Sequence, residues 1–344
     1  MKAFKNLNDL KTHLQIAPIN TGERFNYRGI VFDDFEGLHA MTSADGACVH
    51  LRAGVEWALV EYRGQVRDYG VCLSGLDRCE TDADLFDALL RNVVFEDGLQ
   101  THPALLRMQR VTFFDKPFCI DQQGVAQHYG LATDYVDITP NFDVASFFAT
   151  QKWNDKTQRY EPMQACLKKG VMYRITPAIA ILPHGDEPPS YTPIGWQPFE
   201  RPAQQRANAY RLAVNEDFAK VSTVTKFKFA HNWAVSKQIY EQFEGGDLLF
   251  PHDPLAEFAD HVKALTHFTQ PQIDTASEKF AQRKGQTPDN ETIQAWLKQK
   301  GISFVDENTL AHFKWRFDEH AFEQKLEDMG KRIRVRRTAA HYQG

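Results

Sequence analysis

Between Gln127 and Ala149 the chain sets a polar, partly titratable segment directly against an apolar one, and no other feature of the sequence restricts the fold as tightly. Gln127, His128, Tyr129, Thr133, Asp137 and Thr139 run from the end of a helix-like stretch, Cys119 to His128, to the breaker Pro140, with Gly130 among them. Val144-Ala145-Ser146-Phe147-Phe148-Ala149 follows at once, and a helix apolar on all sides has to be buried. The polar set in front of a buried helix lines a pocket rather than a solvated face, with Phe147 and Phe148 belonging to the core.

Upstream, Val55 to Tyr62 is rich in β-branched and aromatic residues and reads as a strand ending on Tyr62-Arg63-Gly64-Gln65. A second triplet, Tyr27-Arg28-Gly29, makes Arg28 the runner-up to Arg63 as the functional arginine. Asp82 to Leu90 has the spacing of an amphipathic helix, Val111 to Phe114 is a short apolar run, and Val171 to Ile175 and Ile179 to Leu182 read as strands. Strands and helices alternate without a regular β-α-β rhythm, which predicts an α+β fold: a mixed or antiparallel sheet core with helices around it. Gln270 to Thr275 reads as a boundary, so residues 1–268 form the main domain and 269–344 a small helical extension. In that extension Asp289-Asn290-Glu291-Thr292 supplies the cap of a helix running to Gln299 with Gly301 as its stop, and Glu319 to Met329 forms another before Gly330. The end, Lys331-Arg332-Ile333-Arg334-Val335-Arg336-Arg337, alternates basic and apolar residues and would present cations on one face as a strand.

Written as Gln-His-Tyr-Gly-Leu-x-Thr-x-x-x-Asp-x-Thr before an Ala/Phe-rich helix, residues 127–139 resemble the signature of the FRG domain, a bacterial family named after an aromatic-Arg-Gly motif. Tyr62-Arg63-Gly64 fits that motif, Glu200 to Ala207 resembles the family's Arg-then-Gln element, and Lys226-Phe227-Lys228-Phe229 through Leu248-Leu249-Phe250-Pro251 its closing blocks. The likeness spans about 55–265. Where members carry Pro, Arg and Trp this chain has Ala132, Asp134 and Ile138, and Asp134 reverses a charge beside the expected pocket.

The arrangement of an arginine, a Thr/Asp cluster before a helix and a polar third element resembles that of NAD-dependent ADP-ribosyltransferases. The resemblance implies NAD, or a related nucleotide, as substrate, with no metal expected. Arg63, Gly64, Gln65, Gln127, Tyr129, Thr133 and Thr139 would hold it, and Asp137, His128 and either Glu200 or Gln205 would act on it. Arginine suits phosphate because its planar fork donates two parallel charge-assisted hydrogen bonds, and a helix beginning near Pro140 would add backbone donors. Gln205 is neutral, so Asp137 is the carboxylate for a developing cation, with His128 as a group titrating near neutrality. The implied setting is a toxin or anti-phage effector acting on a protein or nucleic-acid acceptor. The same residues also admit a non-catalytic module sensing a nucleotide, a nucleic acid or a phage protein. Arg63 would then pair with Asp137 structurally, Thr133 and Thr139 would serve as turn and cap residues, and Glu200 and Arg201 would form a loop ion pair.

With 344 residues, 42% of them hydrophobic, the chain can bury a sizeable core, and a net charge of −5 argues against a generally basic nucleic-acid binder. Its five cysteines, Cys48, Cys72, Cys79, Cys119 and Cys166, include no C-x-x-C pair and no histidine at zinc-like spacing. Reduced thiols in a cytoplasmic protein are the expectation. The first residues lack the apolar stretch of a signal peptide, and no run of about 18 apolar residues predicts a membrane span.

Overall fold

The computed structural model describes residues 3–15, 25–27, 30–32, 38–43, 45–53, 60–176, 190–306, 310 and 313–334. Arg28, the strand expected over Ile179 to Leu182 and most of the stretch from Val55 to Tyr62 lie outside them, as do residues 335–344. In chain order the elements begin with α1 (Leu7–His13), β1 (Phe25–Tyr27), β2 (Ile30–Phe32), β3 (Leu38–Thr42), β4 (Val49–Ala53) and β5 (Glu61–Gln65). Next come α2 (Asp82–Gln100), α3 (Pro103–Met108), β6 (Thr112–Phe113), β7 (Lys116–Pro117), α4 (Gln122–His128), β8 (Tyr135–Ile138) and α5 (Phe142–Thr150). They are followed by β9 (Gln151–Asn154), β10 (Arg159–Pro162), β11 (Lys169–Ile175), β12 (Tyr191–Pro193), α6 (Glu200–Gln204), β13 (Asn208–Arg211) and β14 (Val224–Ala230). The chain closes with α7 (Trp233–Gln242), α8 (Pro254–Ala264), β15 (His267–Phe268), α9 (Gln270–Lys284), α10 (Asn290–Gln299), β16 (Ser303–Phe304), α11 (Glu319–Arg332) and β17 (Ile333–Arg334).

The expected α+β class is what these elements build. Two antiparallel sheets, ordered β14-β11-β5 and β12-β13-β8, carry the centre of the molecule. A two-way backbone bridge joins them: the Tyr62 N–H donates to the Thr139 carbonyl (2.8 Å) and the Thr139 N–H to the Tyr62 carbonyl (2.9 Å). Successive strand side chains point to opposite faces. On β11, Met172 therefore joins Tyr62, Phe229 and the α5 residues Phe142, Val144 and Phe147 in one core. Val171, Tyr173 and Ile175 turn the other way, onto Val136 and Ile138 of β8 and onto Phe218.

Gly64 lies on the α5 side of β5. A Cβ there would stand 1.9 Å from the Ala145 carbonyl oxygen and 2.7 Å from the Ala149 nitrogen. Only a glycine lets the helix backbone come that close to the strand.

A third core forms around α2, which starts at a capping box of Thr81 and Asp84 and buries residues on more than one side. Leu85, Phe86, Leu89 and Val93 meet Phe258 and Val262 of α8, Ile273 and Phe280 of α9 and Ile293 and Leu297 of α10. The helices after residue 268 thus share a core with what precedes them, and ion pairs run alongside: Lys279 with Glu96, Lys284 with Asp82, and Lys300 with Asp84.

Several local expectations change. The strand continues through the motif to Gln65, so Arg63 sits within β5 rather than at a strand end. Gln270 to Thr275 forms the first turns of α9, started by Thr269 and Gln272. α11 runs through Gly330 to Arg332, and Ile333–Arg334 then pairs in parallel with Leu38–His39. Reduced thiols throughout are also not what the fold shows, because Cys48 and Cys119 are joined in a disulfide, brought together across a sequence separation of 71. Among the described residues no helix is long and apolar enough to cross a membrane.

Two stability outcomes follow. Gly64→Ala should lower the unfolding free energy by roughly 3 kcal/mol or more in urea titrations, because the clash is with helix backbone and not with a side chain that can rotate away. His102 is 4% exposed, caps α3 by accepting the Ala104 N–H at Nδ1, and has its pKa pushed by burial from 6.5 to about 4. The unfolded chain therefore takes up this proton before the folded one does, and stability falls as the pH drops from about 6.5 towards about 4. Between pH 7 and pH 5 the loss from this group is roughly 2 kcal/mol. His102→Asn, which keeps a capping acceptor, should show a correspondingly shallower pH dependence of the urea midpoint.

Candidate functional site

The alternation that turns Tyr62 and Gly64 toward α5 turns Arg63 and Gln65 the other way. Tyr173 lies opposite Arg63 across the sheet, and the Tyr62–Thr139 bridge brings β8 alongside. Arg63 Nη1 donates to the Asp137 carbonyl at 2.9 Å and stands 3.9 Å from Asp137 Oδ2. Burial opposes the charge on this guanidinium, but Cys72 and Asp137 outweigh it and hold the pKa above its ordinary value. Gln65 is fixed from both ends: Oε1 accepts from the Tyr173 hydroxyl (3.2 Å) and Nε2 donates to Cys72 Sγ (3.6 Å).

α4 contributes the other half. Asp121 caps its first turn through the Gly124 N–H (2.7 Å), and burial pushes that carboxyl up. The last turn carries Gln127 and His128. Thr133 Oγ1 donates to Gln127 Oε1 at 2.6 Å, which leaves Gln127 Nε2 to donate to Asp137 Oδ2 at 3.1 Å. Gln205, just past α6, donates Nε2 to the Leu249 carbonyl (3.0 Å), so its Oε1 accepts from His128 Nδ1 (2.9 Å). The imidazole proton is thereby held on Nδ1, and Nε2 faces Asp137 Oδ1 at 3.7 Å, beyond hydrogen-bond reach. Among the described residues, Arg63 Nε, His128 Nε2 and Asp137 Oδ1 are buried atoms with no hydrogen-bond partner. Such groups are costly, and three around one carboxylate mark a place built for more than packing.

His128 and Asp137 lie at the waist of a two-lobed cleft, with Arg63 in one lobe. One lobe, of about 780 Å³, is lined by Arg63, Gln65, Tyr69, Cys72 and Thr139. The other, of about 860 Å³, is lined by Gln127, Gly130, Arg201, Tyr240 and Lys263. His128, Asp137, Phe148, Trp153, Tyr160 and Gln205 border both. The waist thus has an aromatic wall from α5, β9 and β10 and a polar floor from α4, β8 and Gln205. Arg201 lies over the Tyr129 ring at 4.6 Å, and its Nε has no hydrogen-bond partner among the described residues.

Most of the residues singled out from the sequence converge here, but not all in the expected way. Tyr129 commits its hydroxyl to Asp253, and Thr133 acts through Gln127 while also accepting the Tyr135 N–H. Thr139 Oγ1 accepts the Asn141 N–H. Gly64 contributes the close approach of α5. Glu200 stands apart: it pairs with Lys325 of α11, in a different groove, and not with Arg201. The start of α5 offers no ready anion site, because Asn141 accepts the Asp143 and Val144 N–H groups and Asp143 pairs with Lys11. Asp134 does not line the cleft; with Asp77 it clasps Arg283 of α9. Phe148 lines the cleft whereas Phe147 is core. Trp153, Tyr160 and Arg201 were missed as site residues. For Trp153 and Tyr160 the available signal was the alternation in Gln151–Asn154 and Arg159–Pro162, which pairs them across a hairpin.

Residues 59–158 match the family model of the FRG domain. The match contains Arg63, Gln127, His128, Asp137 and Trp153 and ends before Tyr160, Arg201, Gln205 and the blocks that follow. No curated protein and no solved structure matches the chain.

Replacing Arg63 by Met should lower stability by roughly 3 kcal/mol in urea titrations, since it removes a buried charge partner of Asp137 and a donor to the strand carbonyl. A loss below about 0.5 kcal/mol would mean that the guanidinium is not engaged as these contacts require.

Proposed function

Starting from the FRG domain at residues 59–158, we propose that the cleft binds NAD or a closely related nucleotide and breaks its N-glycosidic bond, passing the ADP-ribosyl group to water or to an acceptor. The observation that carries this reading is the waist: a carboxylate and an imidazole side by side, between two lobes and beneath an aromatic wall. A dinucleotide is an elongated ligand with planar rings at both ends. Trp153 and Tyr160 suit ring stacking, and Arg201, whose Nε lacks a partner, suits the pyrophosphate. The scissile bond then lies near Asp137.

In this mechanism the bond between ribose C1′ and the nicotinamide nitrogen breaks with its electron pair going to nicotinamide, which leaves neutral. Asp137 stabilises the cationic sugar that remains. An incoming oxygen bonds to C1′ and gives its proton to His128 Nε2, which is turned to the waist because Gln205 holds the opposite ring nitrogen. A toxin or anti-phage effector is the setting that the family resemblance suggests for such an activity.

A non-catalytic binding module is the second reading, and one observation favours it. Arg63 spends Nη1 on the Asp137 backbone, so the two signature motifs hold each other whether or not a ligand is present.

The deciding experiment follows nicotinamide release from NAD by the purified chain, alone and with cell lysate, beside Asp137→Asn. Arg63 is avoided as the control because its loss should itself lower stability. The expected result is release that falls at least about 100-fold in the variant while it keeps a cooperative melting transition and its affinity for NAD. Retained NAD binding without release from the folded chain would select the binding module.

A further inference from the structure

A second cluster lies outside the cleft, at the β3–β4 hairpin. Cys48 directly precedes β4, and His50 is two residues further on, on the same side of the extended chain. Cys119 follows β7 and is delivered by pairing: Val49 bridges Phe118, and the Cys119 N–H donates to the Val49 carbonyl at 2.8 Å. Cys48 and Cys119 form the disulfide, with their Cα atoms 5.2 Å apart. One ligand atom from each of Cys48, His50 and Cys119 falls within 4.8 Å of the others. None of the three lines either lobe of the cleft.

A structural disulfide has no use for the imidazole. His50 Nδ1 is nevertheless buried with no hydrogen-bond partner among the described residues. Two sulfurs and one imidazole form a donor set suited to zinc, which takes three protein ligands and keeps a fourth position for water where a site is open. We propose that Cys48, His50 and Cys119 are a redox-gated zinc site, closed as the disulfide and opened by a dithiol reductant.

The chemistry balances. The dithiol gives two electrons and two protons to the disulfide and is itself oxidised to a disulfide, leaving thiols on Cys48 and Cys119. Zn²⁺ then displaces both thiol protons and binds two thiolates and the imidazole. With Zn–S bonds of about 2.3 Å the sulfurs need to part only to roughly 3.7 Å. Cys119 lies two residues before Asp121, the cap of α4, whose last turn carries His128, so the state of this site bears on how firmly that helix starts.

The test uses the full chain and Co²⁺ as a spectroscopic substitute for zinc. After reduction, one equivalent of Co²⁺ should give a thiolate-to-cobalt charge-transfer band that Zn²⁺ abolishes, and the unreduced chain should give none. His50→Ala keeps both cysteines, and therefore the disulfide, and should bind at least tenfold more weakly. Cys48→Ser combined with Cys119→Ser should remove the band. The proposal is overturned if reduction abolishes the melting transition or if the folded, reduced chain gives no band. Unchanged affinity in His50→Ala overturns it too, as does a band that survives in the double variant, which would place the metal on Cys72, Cys79 or Cys166.

Discussion

The closeness of α5 to β5 at Gly64 sets the rest of the geometry. Because the helix backbone rests on a residue with no side chain, the strand's α5 face is filled by Tyr62 and by the helix itself. Alternation then leaves Arg63 and Gln65 on the other face. The Tyr62–Thr139 bridge fixes β8 against that face and delivers Asp137 to Arg63. An aromatic residue, an arginine and a glycine in succession are thus one device: an anchor, a clamp and a contact point for a helix.

Orientation at the waist comes from a relay of hydrogen bonds whose members are far apart in the chain. Leu249 holds Gln205, which holds His128; Thr133 holds Gln127, which holds Asp137. Each amide has its oxygen and nitrogen assigned by a neighbour, so the imidazole and the carboxylate meet in one defined arrangement. Such support is what keeps a reactive pair within the tolerance that chemistry demands. The relay also explains part of the polar content of Gln127 to Thr139: Thr133 and Gln127 serve to position Asp137.

Local signals were readable where a single physical rule decides. Asp289 as a cap and Gly301 as a stop bracket α10, with Gly301 at φ +65°, and the apolar run after Pro140 is indeed a buried helix. Tertiary pairing was not readable in the same way. Nothing in the sequence places Cys119 beside Cys48, because the residues between them do not encode a spacing; a backbone bridge does. Arg201 and Glu200 are adjacent and charged, yet one stacks on Tyr129 while the other pairs with α11. Gln270 to Thr275, read as a boundary, is helical because Thr269 and Gln272 cap its start and Ile273 is buried against α2.

Arg283 has an implication for how the chain can change over evolutionary time. The family-matched segment carries an acid at Asp134, and its counter-charge is encoded 149 residues later. Asp77, also inside the matched segment, shares that same cation. Positions 77, 134 and 283 are therefore coupled through one cation. A recombination that swapped residues 59–158 for those of a relative with arginine at position 134 would set two guanidiniums against each other beneath α9.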